Sequence, residues 1–210
     1  QNKCTRNFYD ESIHIRDAKL VAAAHGYDAL MASIRPTEKL PGKKAAIIGG
    51  GPTGIAAAYF LARGGVQTTI FEREEKLGGV PRYVIPAFRI SDEALDKDVA
   101  LMERLGVEVK CGAPAPSVAE LKKMGYTHIL LATGAWQAGE LGIPGNVRGV
   151  IAWMKEMKQQ VKPCLEGHVV VVGAGNTAMD AARVAKRMGA ASSTIVYRRT
   201  KKEMPADEHE

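Results

Sequence analysis

The stretch Lys43–Glu72, "KKAAIIGGGPTGIAAAYFLARGGVQTTIFE", decides the fold. A short apolar run, "AAII", leads into Gly49-Gly50-Gly51-Pro52-Thr53-Gly54, an Ala-rich helical stretch follows, and "VQTTIFE" supplies a second β-branched run. Strand, glycine turn, helix and strand form the unit in which a dinucleotide pyrophosphate rests on a helix N-terminus. In the pattern G-x-G-x-x-G, Gly49 permits the tight turn, Gly51 lets the pyrophosphate approach the backbone, and Gly54 lets the helix sit close to the strand. The helix opens at Pro52 and Thr53, with unpaired N–H groups and the positive end of its dipole at that end. Glu72 closes the second run 23 residues after Gly49, where a carboxylate can accept hydrogen bonds from an adenosine ribose. A glycine triplet alone is equally a tight turn; strand, helix and terminal acid together favour nucleotide binding.

The pattern starts over at His168–Arg199, "HVVVVGAGNTAMDAARVAKRMGAASSTIVYRR". Here the fingerprint is Gly173-Ala174-Gly175-Asn176-Thr177-Ala178, with alanine at the third position, a variant that still allows close helix packing. The second strand ends in Arg198 and Arg199 instead of an acid. A carboxylate there would pair with a free 2′-hydroxyl and repel a 2′-phosphate, whereas two guanidinium groups bind that dianion through charged, forked hydrogen bonds. The expected ligand is NADPH, the plain alternative being two solvated surface cations. Two nucleotide folds, one ending in an acid and one in arginines, point to two cofactors, FAD and NADPH. A doubly wound sheet needs several strands, and the chain stops soon after the second strand of this second unit, so a fragment of a longer polypeptide is expected.

The expected fold class is α/β, with two Rossmann-like units, the second truncated, behind a short helical segment. The segments are 1–40, helical; 41–145, the first part of an FAD-binding domain; and 146–210, the first half of an NADPH-binding domain. Asp10–Arg35 reads as helical with a break at Gly26. "GGVPRYVIPAFRIS", Gly78–Ser91, with two prolines and two glycines, reads as an ordered loop. "SDEALDKDVALMERLG" restores a helix capped by Ser91 or Asp92, with Leu95, Val99, Leu101 and Met102 on its apolar face. "VEVK" and "THILLAT" are further strands, "SVAELKKMG" is helical, and Val150–Val161 is amphipathic.

The 29 basic and 23 acidic residues leave a net charge of +6, scattered except at Arg187, Arg198, Arg199, Lys201 and Lys202. No basic stripe interleaved with aromatics appears, so no nucleic-acid partner is expected. No apolar run approaches the roughly 20 residues of a membrane span, and "QNKCTRNFYD" lacks the apolar core of a signal peptide, so a cytoplasmic location is expected. Cys4, Cys111 and Cys164 are too few and too far apart for a disulfide framework, and no CxxC pair supports a dithiol relay. Cys111 and Cys164 read as small apolar residues. His14 and His168 carry no partner carboxylate or cysteine pattern and receive no catalytic role.

Taken together, "IIGGGPTGIAAAYFLARGG", "IFEREEKLGGVPRYVIPAFRI", "LLATGAW", "GIPG", "VVVVGAGNTAMDAARVAKRMGA" and "IVYRRTKKEMPA" resemble the small-subunit family of NADPH-dependent glutamate synthase. That group takes in the flavoprotein part of dihydropyrimidine dehydrogenase and iron–sulfur subunits of the selenate reductase type, to which the wording is nearest. The resemblance spans nearly the whole chain. It implies an FAD domain with an NADPH domain inserted in it. Leu77, Gly78, Gly79 and Val80 would pass beside the flavin, although these residues read alone are equally an ordinary turn. Arg89 would contact FAD, and Ala132-Thr133-Gly134 would lie near its adenine half. Asn176, Thr177 and Ala178 would lie at the NADPH pyrophosphate, and Met204 and Pro205 belong to the family's "MPA".

"CTRNFYDESIHIRDAK" resembles the end of an iron–sulfur region in which Cys4 would be the last cluster ligand. Its companion thiolates would lie upstream, so Cys4 is expected to be a free thiol here and a cluster only in the longer parent. The implied activity is NADPH-dependent flavin oxidoreduction. Electrons would pass through flavin and iron–sulfur clusters to a separate acceptor domain or subunit, and no catalytic acid or base is required of this chain. The isolated fragment is expected to be inactive. The rival readings are a folded docking module without cofactors and, behind it, a flavin monooxygenase or disulfide reductase.

Overall fold

The apolar run before the first glycine turn forms the central strand of a parallel sheet. The computed structural model describes residues 4–137, 139 and 141–206. Helix α1 (Ile15–Ser33) precedes a sheet unit of β1 (Lys44–Ile48), α2 (Pro52–Arg63), β2 (Gln67–Phe71), α3 (Gly79–Tyr83), α4 (Asp92–Glu103), β3 (Glu108–Lys110), α5 (Val118–Lys123) and β4 (His128–Leu131). A second unit holds α6 (Val150–Gln159), β5 (His168–Val172), α7 (Asn176–Arg187) and β6 (Ser192–Val196). The first sheet has the order β3-β2-β1-β4 and the second pairs β5 with β6, with every pairing parallel. This is the α/β architecture expected from the two fingerprints.

Alternation along β1 and β2 puts the two faces of the first sheet into different cores. Ile47 and Ile70 are fully buried with Ala58, Ala62, Met102 and Leu105, beneath α2 and α4. Ala46 and Phe71 face the other way, onto Leu121 and Tyr126 of and beside α5. A sheet covered on both faces reads as near-continuous apolar strands; β1 does after Lys44, whereas β2 buries Thr68 and Thr69 beside Ile70 and Phe71. The second sheet differs: α7 covers the face carrying Val171, while Val170, Val172 and Val196 on the other face are exposed. The two units meet where Val84, Met154 and Ala181, all buried, pack with Val80, Tyr83, Trp136 and Trp153.

Some local expectations are corrected. Helix α1 passes through Gly26 without a break and begins at Ile15, after a short 3-10 turn at Thr5–Phe8. One interior glycine costs about 1 kcal/mol, which Ala22–Ala24 and the contact of Tyr27 with Lys97 on α4 offset. The Gly78–Ser91 stretch is not wholly loop: Gly79–Tyr83 makes one helical turn, because Pro81 falls in the first turn, where a missing N–H is harmless. Ser91 caps α4 by accepting from Ala94 N at 3.3 Å. His14 does have carboxylate neighbours, Asp17 at 3.1 Å and Glu11 at 3.8 Å, all exposed. Cys111 packs beside the main core and burial pushes its thiol pKa up, but Cys164 is exposed and does not behave as a buried apolar residue.

Candidate functional site

Both glycine turns sit at the C-terminal ends of parallel strands, where open α/β sheets bind ligands. In the first unit the turn lies between β1 and β4, where the chain's winding direction reverses. Gly49 has φ 109° and its N–H donates to Phe71 O at 2.9 Å. A Cβ there would drive into the Ala132 carbonyl, and one on Gly54 into the Gly49 carbonyl. These two glycines are therefore demanded by the protein's own packing. Gly51 is not. Its φ is −76°, open to any residue, and a Cβ there would make only an ordinary 3.8 Å contact with Gly79 Cα.

The other residues named for the first unit converge on this turn. Gly78 N donates to Gly50 O at 2.8 Å, and a Cβ on Gly79 would lie 2.8 Å from Gly51 Cα, so the Leu77–Val80 stretch lies directly on the glycine turn. Ala132 N donates to Ile48 O at 2.8 Å, placing Ala132, Thr133 and Gly134 on its other side. Glu72, just past β2 and 7% exposed, accepts from Gly50 N at 2.6 Å and Glu74 N at 2.9 Å. A carboxylate has about four acceptor positions, so these two bonds fix its orientation and leave acceptor capacity. Pro52 opens α2 and no side chain caps that end.

The second turn repeats the geometry with less around it. Gly173 has φ 137° and donates to Val196 O at 2.9 Å. Gly175 has φ −87°, and a Cβ on it would meet no described residue within 4 Å. Asn176, Thr177 and Ala178 form the first turn of α7, again without a side-chain cap. Arg198 and Arg199 follow β6 and are exposed. The chain then makes a short turn held by Thr200 and Glu203 and comes back to the glycine loop, where Ala206 N donates to Ala174 O at 3.1 Å, so Met204 and Pro205 lie beside that loop.

Two placements differ from a simple ligand list. Arg89 lies at the junction of the units, its Nε donating to Asp180 Oδ1 of α7 at 2.7 Å. Cys4 precedes the first 3-10 turn, and the Ile13 and Arg6 backbone N–H groups draw its thiol pKa down. Among the described residues no group of three or more His, Cys, Asp or Glu could hold a metal ion. One thiol does not suit an iron–sulfur cluster, which takes four ligands.

Sequence reasoning missed Arg82. It is 5% exposed; Nε donates to Leu77 O at 2.5 Å, Nη2 to Asp96 at 2.5 Å, and Nη1 lies 3.6 Å from Asp92. It braces from beneath the turn that carries Gly78 and Gly79. The available signal was a lone cation inside the apolar, proline-rich "GGVPRYVIP". Two lysines of α6 also hold this region: Lys155 pairs with Glu74 at 2.5 Å, and Lys158 Nζ donates to Ile85 O at 2.6 Å, with burial lowering its pKa.

Comparison with known proteins shows the family of the chain. The chain is 41% identical over 98% of its length to YgfK of Escherichia coli K12, named as an oxidoreductase, of which it covers 20%. It is 35% identical over 99% of its length to the NADPH-Fe(3+) oxidoreductase subunit beta of Geobacter sulfurreducens, covering 32% of that chain. To the glutamate synthase [NADPH] small chain of Escherichia coli K12 it is 32% identical over 82% of its length, covering 40%. The chain thus spans between a fifth and about two-fifths of these relatives. Among solved structures, thioredoxin reductase of Lactococcus lactis superposes with a TM-score of 0.55 at 24% identity, over 80% of this chain and 59% of that one, a likeness of fold. The family model that matches, over residues 43–209, spans both glycine turns. The chain therefore belongs to the pyridine nucleotide-disulphide oxidoreductase family, whose members are NAD(P)H-dependent flavin oxidoreductases.

Proposed function

We propose that this chain is the cofactor-binding part of an NADPH-dependent flavin oxidoreductase of the glutamate synthase small-chain type. Residues 41–145 would hold FAD and residues 146–210 the start of an NADPH-binding domain, behind a helical segment 1–40. One observation carries the reading. The middle glycine of each fingerprint, Gly51 and Gly175, is required neither by backbone conformation nor by the atoms of neighbouring described residues. What remains is the close approach of a ligand to a bare backbone at a helix N-terminus, the arrangement that suits a pyrophosphate.

In the first unit Thr53 and Gly54 open the helix toward the diphosphate, Glu72 accepts from the ribose, and Ala132–Gly134 borders the adenine side. Leu77, Gly79 and Val80, held by Arg82, lie along the flavin side, with Arg89 as a further FAD contact. In the second unit Gly173, Gly175, Asn176, Thr177 and Ala178 take the pyrophosphate, and Arg198 and Arg199 take the 2′-phosphate. The FAD that these residues would hold would supply hydride acceptance from NADPH and release of electrons to an acceptor held elsewhere. The chain's own residues bind, orient and discriminate; they transfer no proton themselves. Relatives named as a subunit beta and a small chain support an acceptor on another domain or subunit.

The test is selectivity. Replacing Arg198 and Arg199 together by glutamine should raise the NADPH dissociation constant roughly tenfold to a hundredfold, since a charged hydrogen bond contributes about 1.5–3 kcal/mol and exposure reduces it. NADH binding should stay nearly constant. Equal losses for the two nucleotides would show that the arginines support the loop and not the 2′-phosphate.

A further inference from the structure

We propose that Asp180 is the positioning residue for Arg89, so that the second unit orients an arginine of the first toward its FAD site. This rests on the reading of Arg89 as an FAD contact. Asp180 lies on α7, one turn beyond the glycine loop, and Arg89 lies in the segment after α3, 91 positions earlier. Their contact is a charge-assisted hydrogen bond of 2.7 Å with the carboxylate side chain 13% exposed and the guanidinium 30%.

The surroundings give the pair a fixed seat. Ala181, next to Asp180, is 2% exposed and packs with Val84 and Met154 in the cluster that joins the units. Arg89 N donates to Pro86 O at 2.9 Å, closing a turn that presents its side chain to α7. The neighbouring Phe88 ring lies under the Arg187 guanidinium of the same helix, 4.0 Å from its centroid. Backbone, ring and ion pair thus all fix the 86–90 turn against α7. An arginine side chain has many rotamers, and so much entropy, to lose on binding. Holding it through Nε spends that entropy before any ligand arrives and points the guanidinium plane in one direction.

The helix carrying Asp180 starts at the second glycine turn, so one rigid element touches the nicotinamide-cofactor loop at its N-terminus and the FAD arginine one turn later. Positioning of this kind predicts that Asp180 acts on FAD only through Arg89.

The experiment is a double-mutant cycle in the complete protein carrying these residues, with FAD binding followed by quenching of flavin fluorescence. Asp180→Asn, which is isosteric, should weaken FAD roughly fivefold to tenfold. Asp180→Glu should recover most of that loss. Arg89→Met should weaken FAD at least as much, and adding Asp180→Asn to it should change nothing further. NADPH binding to the FAD-free Asp180→Asn protein should stay within about twofold of wild type. If Arg89→Met weakens FAD and Asp180→Asn does not, or if the two losses add, the positioning role is wrong while the FAD reading stands. If Asp180→Asn weakens NADPH by the same factor as FAD, Asp180 serves the helix as a whole and the proposal falls. If Arg89→Met leaves FAD affinity unchanged, the reading of Arg89 itself fails.

Discussion

The two glycine turns share a sequence pattern and differ in what surrounds them. In the first, the Gly49 carbonyl is pressed by Gly54, Ala132 closes one side, and Gly79 closes the other. The strands leading into it are buried on both faces, with Ala45, Ala46 and Ile47 at 2% exposure or less. In the second, no described residue crowds Gly175, and exposed residues alternate along β5. The difference separates two cases within one motif: some fingerprint glycines are set by protein against protein, while others are left uncrowded, where the proposed ligand would approach.

The largest effects should test that separation directly. Gly54→Ala should destabilise the first unit by more than about 2 kcal/mol, because the new methyl meets backbone that cannot turn aside. Gly175→Ala, at φ −87° with no described residue near, should leave stability within about 0.5 kcal/mol of wild type or slightly higher. Urea unfolding checks both, and nucleotide titration should show Gly175→Ala weakened for NADPH and NADH alike. Equal stability losses at the two positions would erase the distinction.

A middle-sized effect contrasts the charged residues of the two units. Arg82→Met removes the buried hydrogen bond to Leu77 O and should cost about 1–2 kcal/mol, moderated because Asp92 and Asp96 are more than half exposed and can rehydrate. The exposed Arg198 and Arg199 should contribute less than about 0.5 kcal/mol to folding. Thermal unfolding of the two sets compares them. A glutamine pair as destabilising as Arg82→Met would mean that both units use arginine structurally.

The smallest effect concerns pH in the first unit. The Thr69 hydroxyl donates to Glu108 at 2.9 Å and is the main cause holding that carboxyl below its ordinary value. A depressed carboxylate stabilises the fold above its unfolded pKa of about 4.3, and that stability is lost as pH falls through the lower folded value. With Glu108 half exposed, the contribution is a few tenths of a kcal/mol. Thr69→Val should remove this acid-side slope in unfolding measured between pH 3 and pH 6; an unchanged slope would assign it to other carboxylates.

Residues that act through local chemistry were legible in the sequence. The glycine spacings, the β-branched runs and Ser91 as a cap depend on neighbours a few positions away, so their patterns announce them, and Glu72 is announced by its place at a strand end although its partner Gly50 lies 22 positions away. Gly26 misled because propensity is a weak local bias, and helix α1 absorbs its cost. Asp180 was invisible because its partner Arg89 is 91 positions away, and Arg82 showed only as a lone cation in an apolar stretch, its carboxylate partner Asp96 lying 14 positions off.

The sequence by itself determined that two strand–glycine–helix–strand units occur, and which of them ends in an acid and which in arginines. Sterics at φ above zero and strand alternation are properties of the local chain. Only the tertiary structure decided which fingerprint glycines protein atoms already crowd and which remain open, and that the turn at Pro86–Ile90 is seated on the second unit's helix. Those facts depend on which surfaces meet across long sequence separations, where packing and paired charges, and no local pattern, set the outcome.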